Sequence, residues 1–575
     1  MDKYYFNPQL YKEQLKSILN EIEGEKVWIE RSLRPILVKY PKDGNGLFSN
    51  DQLVAGYQLL VSEGTILQNS LVEERIKMKP TRTISGVATV TVLTKPFPCP
   101  GKCIFCPNDV RMPKSYLRDE PGAQRAEKNR FDPYMQTYNR LLALQKTGHN
   151  IEKIELIVLG GTWSFYPEDY QIWFIKRCFE AMNDFDANNG YAKEFTGEEP
   201  AIEPGYDNLK AVNYNLEISK IKNNSEFEKT GWKDLFSQHK INETAYCKCV
   251  GLVVETRPDY INEAEVICIR KLGATKVQIG IQSLNDEILV LNKRGHDVDT
   301  TKNAIRLLRL AGFKIHAHWM PNLYGSDVKK DIIDYMKLWS EDFSPDELKI
   351  YPTSIIANTE LYERYLEGVY QPYSYDELLE VLVNTIPLTP RYCRLTRIIR
   401  DIPSTDIIAG NMKTNFRQIA EEEITKKGGK CQCIRCREIK GKIVTFEDLE
   451  LEVSQYETNI GLQYFISFKT KTDDNIAGFL RLSLPKVENY IDELKGKAMI
   501  REIHVYGQVV GIGKEFDGKS QHIGLGTKLI EIAKQIALEN KYQELSVISA
   551  IGTRGYYRKK GFVADGLYMK TTTFK

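Results

Sequence analysis

Three cysteines stand close together in the run Cys99-Pro-Gly-Lys-Cys103-Ile-Phe-Cys106. Thiolates at this C-x3-C-x2-C spacing can hold three irons of a 4Fe–4S cluster, and the missing fourth ligand leaves one iron open to a small molecule. The competing role is a structural zinc loop, which ordinarily takes four ligands at other spacings. A second run, Cys431-Gln-Cys433-Ile-Arg-Cys436, offers three more ligands. A structural zinc there would need a fourth, for which Cys393 is the candidate. His316 and His318, two apart on an expected strand, face the same way. Packing inside a barrel or contact with a phosphate suits them better than a metal pair. Downstream, Gln521-His522-Ile-Gly524-Leu525-Gly526 opens an amphipathic stretch. Free backbone N–H groups at such a glycine-rich helix start bind phosphate.

These groups need a scaffold of some size. The chain has 575 residues, enough for two to four domains, and a net charge of only +2. A nucleic-acid partner would therefore have to meet a local basic surface. No secretory signal or long apolar run is read from the sequence, so a cytoplasmic location without a membrane span is expected. In that reducing setting the eleven cysteines call for metal sites in preference to disulfides.

Residues 1–82 read as amphipathic helices, with Leu15, Ile18, Leu19 and Ile22 at helical spacing and a basic strip from Arg75 to Arg82. From 83 to 390, strands alternate with helices. The strands expected are Gly86–Leu93, Ile154–Leu159, Cys249–Glu255, Lys276–Ile281, Lys314–Met320 and Glu347–Tyr351. Such repeats predict a parallel sheet with its site at the strands' C-terminal ends. The polar stretch 187–246 reads as an insertion. Residues 391–445 read as a linker carrying the second cysteine run, and 446–575 as a separate α/β domain. Arg391, Arg394, Arg397 and Arg400 recur every third residue as a candidate basic stripe.

The first cysteine run, with Phe105 before its last member, resembles the radical S-adenosylmethionine (SAM) superfamily. That resemblance implies a partial (β/α) barrel, a 4Fe–4S cluster and SAM cleaved to a 5′-deoxyadenosyl radical. It also implies SAM contacts from Gly160, Gly161, Thr162, Glu255 and Gln282. The Gln521–Gly526 signature and the segment Gly552-Thr-Arg-Gly-Tyr556-Tyr557 resemble the GNAT acetyltransferases. Together and in order, the two halves resemble the Elongator catalytic-subunit family from about residue 78 onward. The resemblance rests on stretches such as Leu159-Gly-Gly-Thr-Trp163, Glu255-Thr-Arg-Pro-Asp-Tyr260, Asn292-Lys-Arg-Gly-His296 and Arg501-Glu-Ile-His-Val-Tyr-Gly507.

That family implies a tRNA-modifying acyltransferase that makes 5-carboxymethyluridine at the wobble uridine, using acetyl-CoA, SAM and an electron donor. Acetyl-CoA contacts carried over are Lys153, Glu502, Ile503, His504, Val505, Gln521, His522, Gly524, Leu525, Gly526, Thr527 and Tyr557, with Tyr556, Tyr557, His504 and Glu502 as catalytic candidates. It also implies zinc in the linker and tRNA bound in part by the 1–82 helices. Whether the chain pairs with itself stays open, and no accessory subunits are assumed. The rival reading is a protein lysine acetyltransferase with a vestigial iron–sulfur domain, in which Glu502 would deprotonate the amine.

Overall fold

Between residues 88 and 398, apolar strands alternate with amphipathic helices. β1 (Ala88–Leu93), β2 (Lys153–Leu159), β3 (Lys248–Thr256), β4 (Lys276–Gln282), β5 (Lys314–Trp319) and β6 (Glu347–Ile350) begin and end within two residues of expectation. β7 (Ile355–Ile356) leaves this sheet, β8 (Arg394–Ile398) returns to it beside β6, and β9 (Ile407–Ala409) pairs with β7. The strands β1-β2-β3-β4-β5-β6-β8 form one sheet, every neighbour parallel. Sequential parallel order with helical crossovers curls the sheet into a partial barrel of the radical SAM type. The computed structural model describes residues 6–29, 31–79, 83, 85–186, 213–220, 228–400, 402–440, 444–506 and 524–574.

β8 was not expected. Its sequence, Arg-Leu-Thr-Arg-Ile, lacks an apolar run because Arg394 and Thr396 face a cavity while Leu395 and Ile398 are buried. The parallel sheet thus continues past residue 390. The same strand breaks up the supposed arginine stripe, because a three-residue spacing lines one face of a helix but alternates faces on a strand. Arg391 pairs with Glu452 and Asp474, Arg394 with Glu438, and Arg400 with Glu120.

Alternation divides each barrel strand between two environments. On β5, Ile315, Ala317 and Trp319 enter the apolar core under the helices, while Lys314, His316 and His318 line the interior. Closed eight-stranded (β/α) barrels fill their interior with branched apolar side chains. Here the interior is polar and hollow.

The C-terminal sheet joins β10 (Leu449–Thr458), β11 (Gly461–Thr470), β12 (Ile476–Pro485), β13 (Ala498–Val505), β14 (Glu544–Val547), β15 (Val563–Asp565) and β16 (Tyr568–Thr572). Their order is β10-β11-β12-β13-β14-β16-β15. β10 to β13 run antiparallel, and β13 and β14 run parallel across the helix Leu525–Glu539. At the N-terminus four helices enclose their own core of Leu15, Ile18, Leu19, Ile22, Leu53, Tyr57 and Leu60, as the periodicity predicts.

One apolar cluster runs through both large sheets, and polar groups pin them together. Carbonyls in and just past the last turn of the helix Val298–Leu310 accept hydrogen bonds from the C-terminal half. Tyr490 Oη donates to Leu307 O (3.0 Å), Asn489 Nδ2 to Leu310 O (2.8 Å) and Tyr568 Oη to Ala311 O (3.0 Å). Register between β12 and β13 shifts at Arg501, with Arg481 opposite Glu502 and Leu482 opposite Ile500. Such a bulge re-aims a side chain, and Arg501 turns into the barrel base. There its fully buried guanidinium grips Asp346 and donates to Phe313 O at 2.7 Å. Arg481 adds to the grip, 3.4 Å from Asp346 and 2.9 Å from Glu502. Burial would raise the Asp346 pKa, but Arg501 and Arg481 outweigh it and leave the carboxyl below its ordinary value. Removing one side of a buried pair strands the other charge. Asp346→Asn is therefore expected to cost roughly 3–5 kcal/mol, read as a lowered urea midpoint. An unchanged midpoint would mean that the pair does not hold the sheets together.

Candidate active site

Cys99, Cys103 and Cys106 sit on the loop that leaves the C-terminal end of β1. Arg294 Nη1 lies 2.9 Å from Cys103 Sγ and Arg257 Nη1 lies 3.6 Å from it. Gly101 makes this possible, since a Cβ there would collide with the Arg257 guanidinium. Ser115 Oγ is 3.2 Å from Cys106 Sγ, and Thr162 Oγ1 is 3.7 Å from Cys99 Sγ. Cys106, then Arg294 and Arg257, hold the Cys103 thiol well below its ordinary value despite burial. Among the described residues, three sulfurs come within 4.8 Å of one another only at Cys431, Cys433 and Cys436. That is the reach of a single ion. The first trio stands wider, with two guanidinium groups at Cys103, which fits a 4Fe–4S cluster held by three cysteines.

The other residues expected at this end gather around the trio. Gly160 and Gly161 follow β2 with φ of +125° and +50°, and a Cβ on Gly160 would strike Thr94. Gly160 admits no side chain, and the left-handed backbone at Gly161 favours glycine. Glu255, at the end of β3, accepts a hydrogen bond from Tyr116 Oη at 2.9 Å, and His318 Nδ1 lies 3.6 Å from it. Gln282, at the end of β4, has φ +66° and a buried Oε1 without a partner. Strain of this kind is held in place by the surrounding fold and clusters at functional sites. Sequence reasoning assigned no role to Tyr116, Arg257 or Arg294. The last two lie within stretches that carried the family resemblance, and that was their only signal.

Gln278 Oε1 accepts from Lys349 Nζ at 2.5 Å and lies 3.0 Å from His318 Nε2. His316 and His318 are buried and held well below their ordinary pKa by that burial, so both are neutral. Lower down, Lys276 bridges Glu155 (2.6 Å) and Glu347 (3.2 Å), and Lys314 bridges Glu347 (3.2 Å) and Glu502 (2.6 Å). Burial raises the Glu502 pKa, but Lys314 and Arg481 outweigh it and leave the carboxylate below its ordinary value.

A continuous cavity of about 3120 Å³ runs the length of this interior. Cys106, Glu255, Gln282 and Arg294 line it at the cysteine end. Lys153, Glu502, Ile503, His504, Val505, Gly524, Gly526, Thr527, Tyr556 and Tyr557 line it at the other. The Tyr556 hydroxyl rests against Gly526, at 2.5 Å from where a Cβ would stand. Tyr557 is buried between Tyr556 and Phe562, with ring centroids 5.3 and 5.4 Å away. Gly524 caps the helix Leu525–Glu539 with φ +97°. Leu525 points into the core and does not line the cavity. Gln521 and His522 lie outside the described residues. Gly552 serves packing, since a Cβ there would lie 2.7 Å from Lys248 Cβ and 2.9 Å from Cys249 O on β3. Cys393 is buried but does not join the second sulfur group; its backbone oxygen accepts from Ile434 N at 2.9 Å.

A parallel partial barrel with a three-cysteine loop at its C-terminal mouth defines a radical SAM protein. The description "Radical_SAM C-terminal domain" matches residues 345–426. The chain is 38% identical to the tRNA uridine(34) acetyltransferase of Methanocaldococcus jannaschii, over 88% of this chain and 90% of that one. It is 34% identical to Elongator complex protein 3 of Dictyostelium discoideum, over 86% and 84%. The solved structure of Methanocaldococcus infernus Elp3 with an N-terminal deletion superposes with a TM-score of 0.68 at 35% identity, covering 85% of this chain and all of that one. The chain belongs to the Elongator complex protein 3 family. Among the described residues no helix is long and apolar enough to cross a membrane.

His504 supplies a pH signature. Burial lowers its pKa to about 4, against about 6.5 in an unfolded chain. The unfolded state then binds more protons across that window, so the stability due to His504 is complete above about pH 6.5 and is lost as pH falls toward 4. The urea midpoint is expected to drop between pH 7 and pH 5, and to drop less in His504→Gln. Parallel pH profiles would show that His504 is not held neutral in the fold.

Proposed function

We propose that this chain modifies the wobble uridine of tRNA, using acetyl-CoA and a SAM-derived radical to make 5-carboxymethyluridine. The observation that carries the reading is the shared cavity. The cysteine loop and the tyrosine segment open into one space, so an intermediate can pass between them without release. The names borne by the chain's relatives support the tRNA uridine substrate.

Cys99, Cys103 and Cys106 would hold the cluster, and Gly160, Gly161, Thr162, Glu255 and Gln282 would hold SAM. Bound there, the pair supplies a carbon-centred radical able to take hydrogen from an acetyl methyl. An external one-electron donor completes the requirement. The protein's part is to orient and to exclude water. The N–H groups opening Leu525–Glu539 would hold the CoA pyrophosphate. Tyr557, with Tyr556 beside it, would donate to the thioester, and His504 is a neutral base lining the same space. Lys153, whose pKa burial lowers, reaches the acetyl-CoA site from the barrel side. We assign residues 1–82 to tRNA binding, 83–398 to the radical half with β8 as its last strand, the chain from there to 445 to a linker with structural zinc on Cys431, Cys433 and Cys436, and 446–575 to the acetyl-CoA half.

The state of Glu502 favours this reading over a protein lysine acetyltransferase. A carboxylate with lowered pKa, tied to Lys314 and Arg481, is a weak base for an amine. The test is nucleoside mass spectrometry on tRNA incubated anaerobically with reconstituted protein, SAM, reductant and acetyl-CoA. Carboxymethyluridine is expected with the natural chain and none with Cys103→Ser, while Tyr557→Phe should lower kcat by roughly 10²–10³-fold. Acetylation of a lysine substrate that survives Cys103→Ser, with no modified uridine, would replace this reading with the lysine acetyltransferase.

A further inference from the structure

We propose that Arg294 tunes the reduction potential of the group held by Cys99, Cys103 and Cys106, a proposal that rests on the cluster reading above. Arg294 is 4% exposed. One end of its fork meets Cys103 Sγ at 2.9 Å, and the other donates to Gly280 O at 2.7 Å. Among the described residues no carboxylate lies within ion-pair distance of it, and its Nε has no partner. A buried cation without a counter-charge is costly, so the fold keeps this one where an anion must form. The sulfur of Cys103 is the anion on offer.

Arg257, the second guanidinium at that sulfur, provides an internal contrast. Asp259 neutralises it through two bonds of 2.9 and 2.8 Å, and it stands 3.6 Å from Cys103 Sγ. Two arginines thus face one sulfur, but only Arg294 brings a net positive charge. Reduction adds one electron to the cluster and breaks no bond. A fixed positive charge beside a ligating sulfur stabilises the more negative, reduced state and raises the potential. Arg294 is a positioning charge in this account. It eases the entry of an electron from a low-potential external donor and takes no part in bond making.

The test is an EPR-monitored redox titration of the full chain, reconstituted with iron and sulfide, in the absence of SAM. The natural chain is assayed first for iron and sulfide content; failure to hold a cluster would overturn the cluster reading itself. With clusters loaded, Arg294→Met is expected to shift the midpoint potential downward at equal iron content. Asp259→Asn, which unmasks the Arg257 charge, should shift it upward and serves alone if Arg294→Met loses its iron. An unchanged potential in the variants that keep their clusters overturns the proposal. Unchanged potential together with weakened SAM binding in Arg294→Met would assign Arg294 to the nucleotide instead.

Discussion

A ladder of alternating charge through the barrel base holds this molecule together. Glu155, Lys276, Glu347, Lys314, Glu502, Arg481, Asp346 and Arg501 form an unbroken chain of ion pairs, from β2 at one end to the bulge of β13 at the other. Each buried charge is tolerable because its neighbours carry the opposite sign. The ladder keeps the interior polar and open, where apolar side chains would have packed it shut. It also joins the barrel to the C-terminal sheet by charge as well as by contact. Removing any one rung would take a partner from its neighbours' buried charges.

Much of this was legible in the sequence, and the rest was hidden for physical reasons. The six barrel strands announced themselves through short apolar runs bounded by turns, and the cysteine runs through their spacing. β8 hid because half of its residues face water and charge, so its pattern resembles a loop. The ladder hid because its partners are remote in the chain. Arg501 lies 155 positions from Asp346, and Glu502 lies 188 from Lys314. No local periodicity encodes such pairs. The same blindness produced the arginine stripe, which looked like a nucleic-acid surface until the acidic partners of Arg391, Arg394 and Arg400 were seen.

Individual residues also changed meaning in three dimensions. Glu502, a plausible base by position, is a structural anion. Gly552, part of a motif read for its tyrosines, leaves room for β3 to approach. Gln282, read as one polar contact among several, lines the cavity in a left-handed backbone conformation with a buried unpaired oxygen. Residue type suggested chemistry in each case, but the backbone decided which chemistry was available.

The two ends of the cavity are built on the same strands. β5 carries Lys314 at one end and His318 at the other, and β3 presents Glu255 to the cysteine loop while its first residues receive Gly552. A slip in the register of either strand would be felt at both ends at once. The halves of this protein are therefore not interchangeable cassettes. A lineage that altered one would have to accept or repair the effect on the other, so the two should be inherited as a single unit.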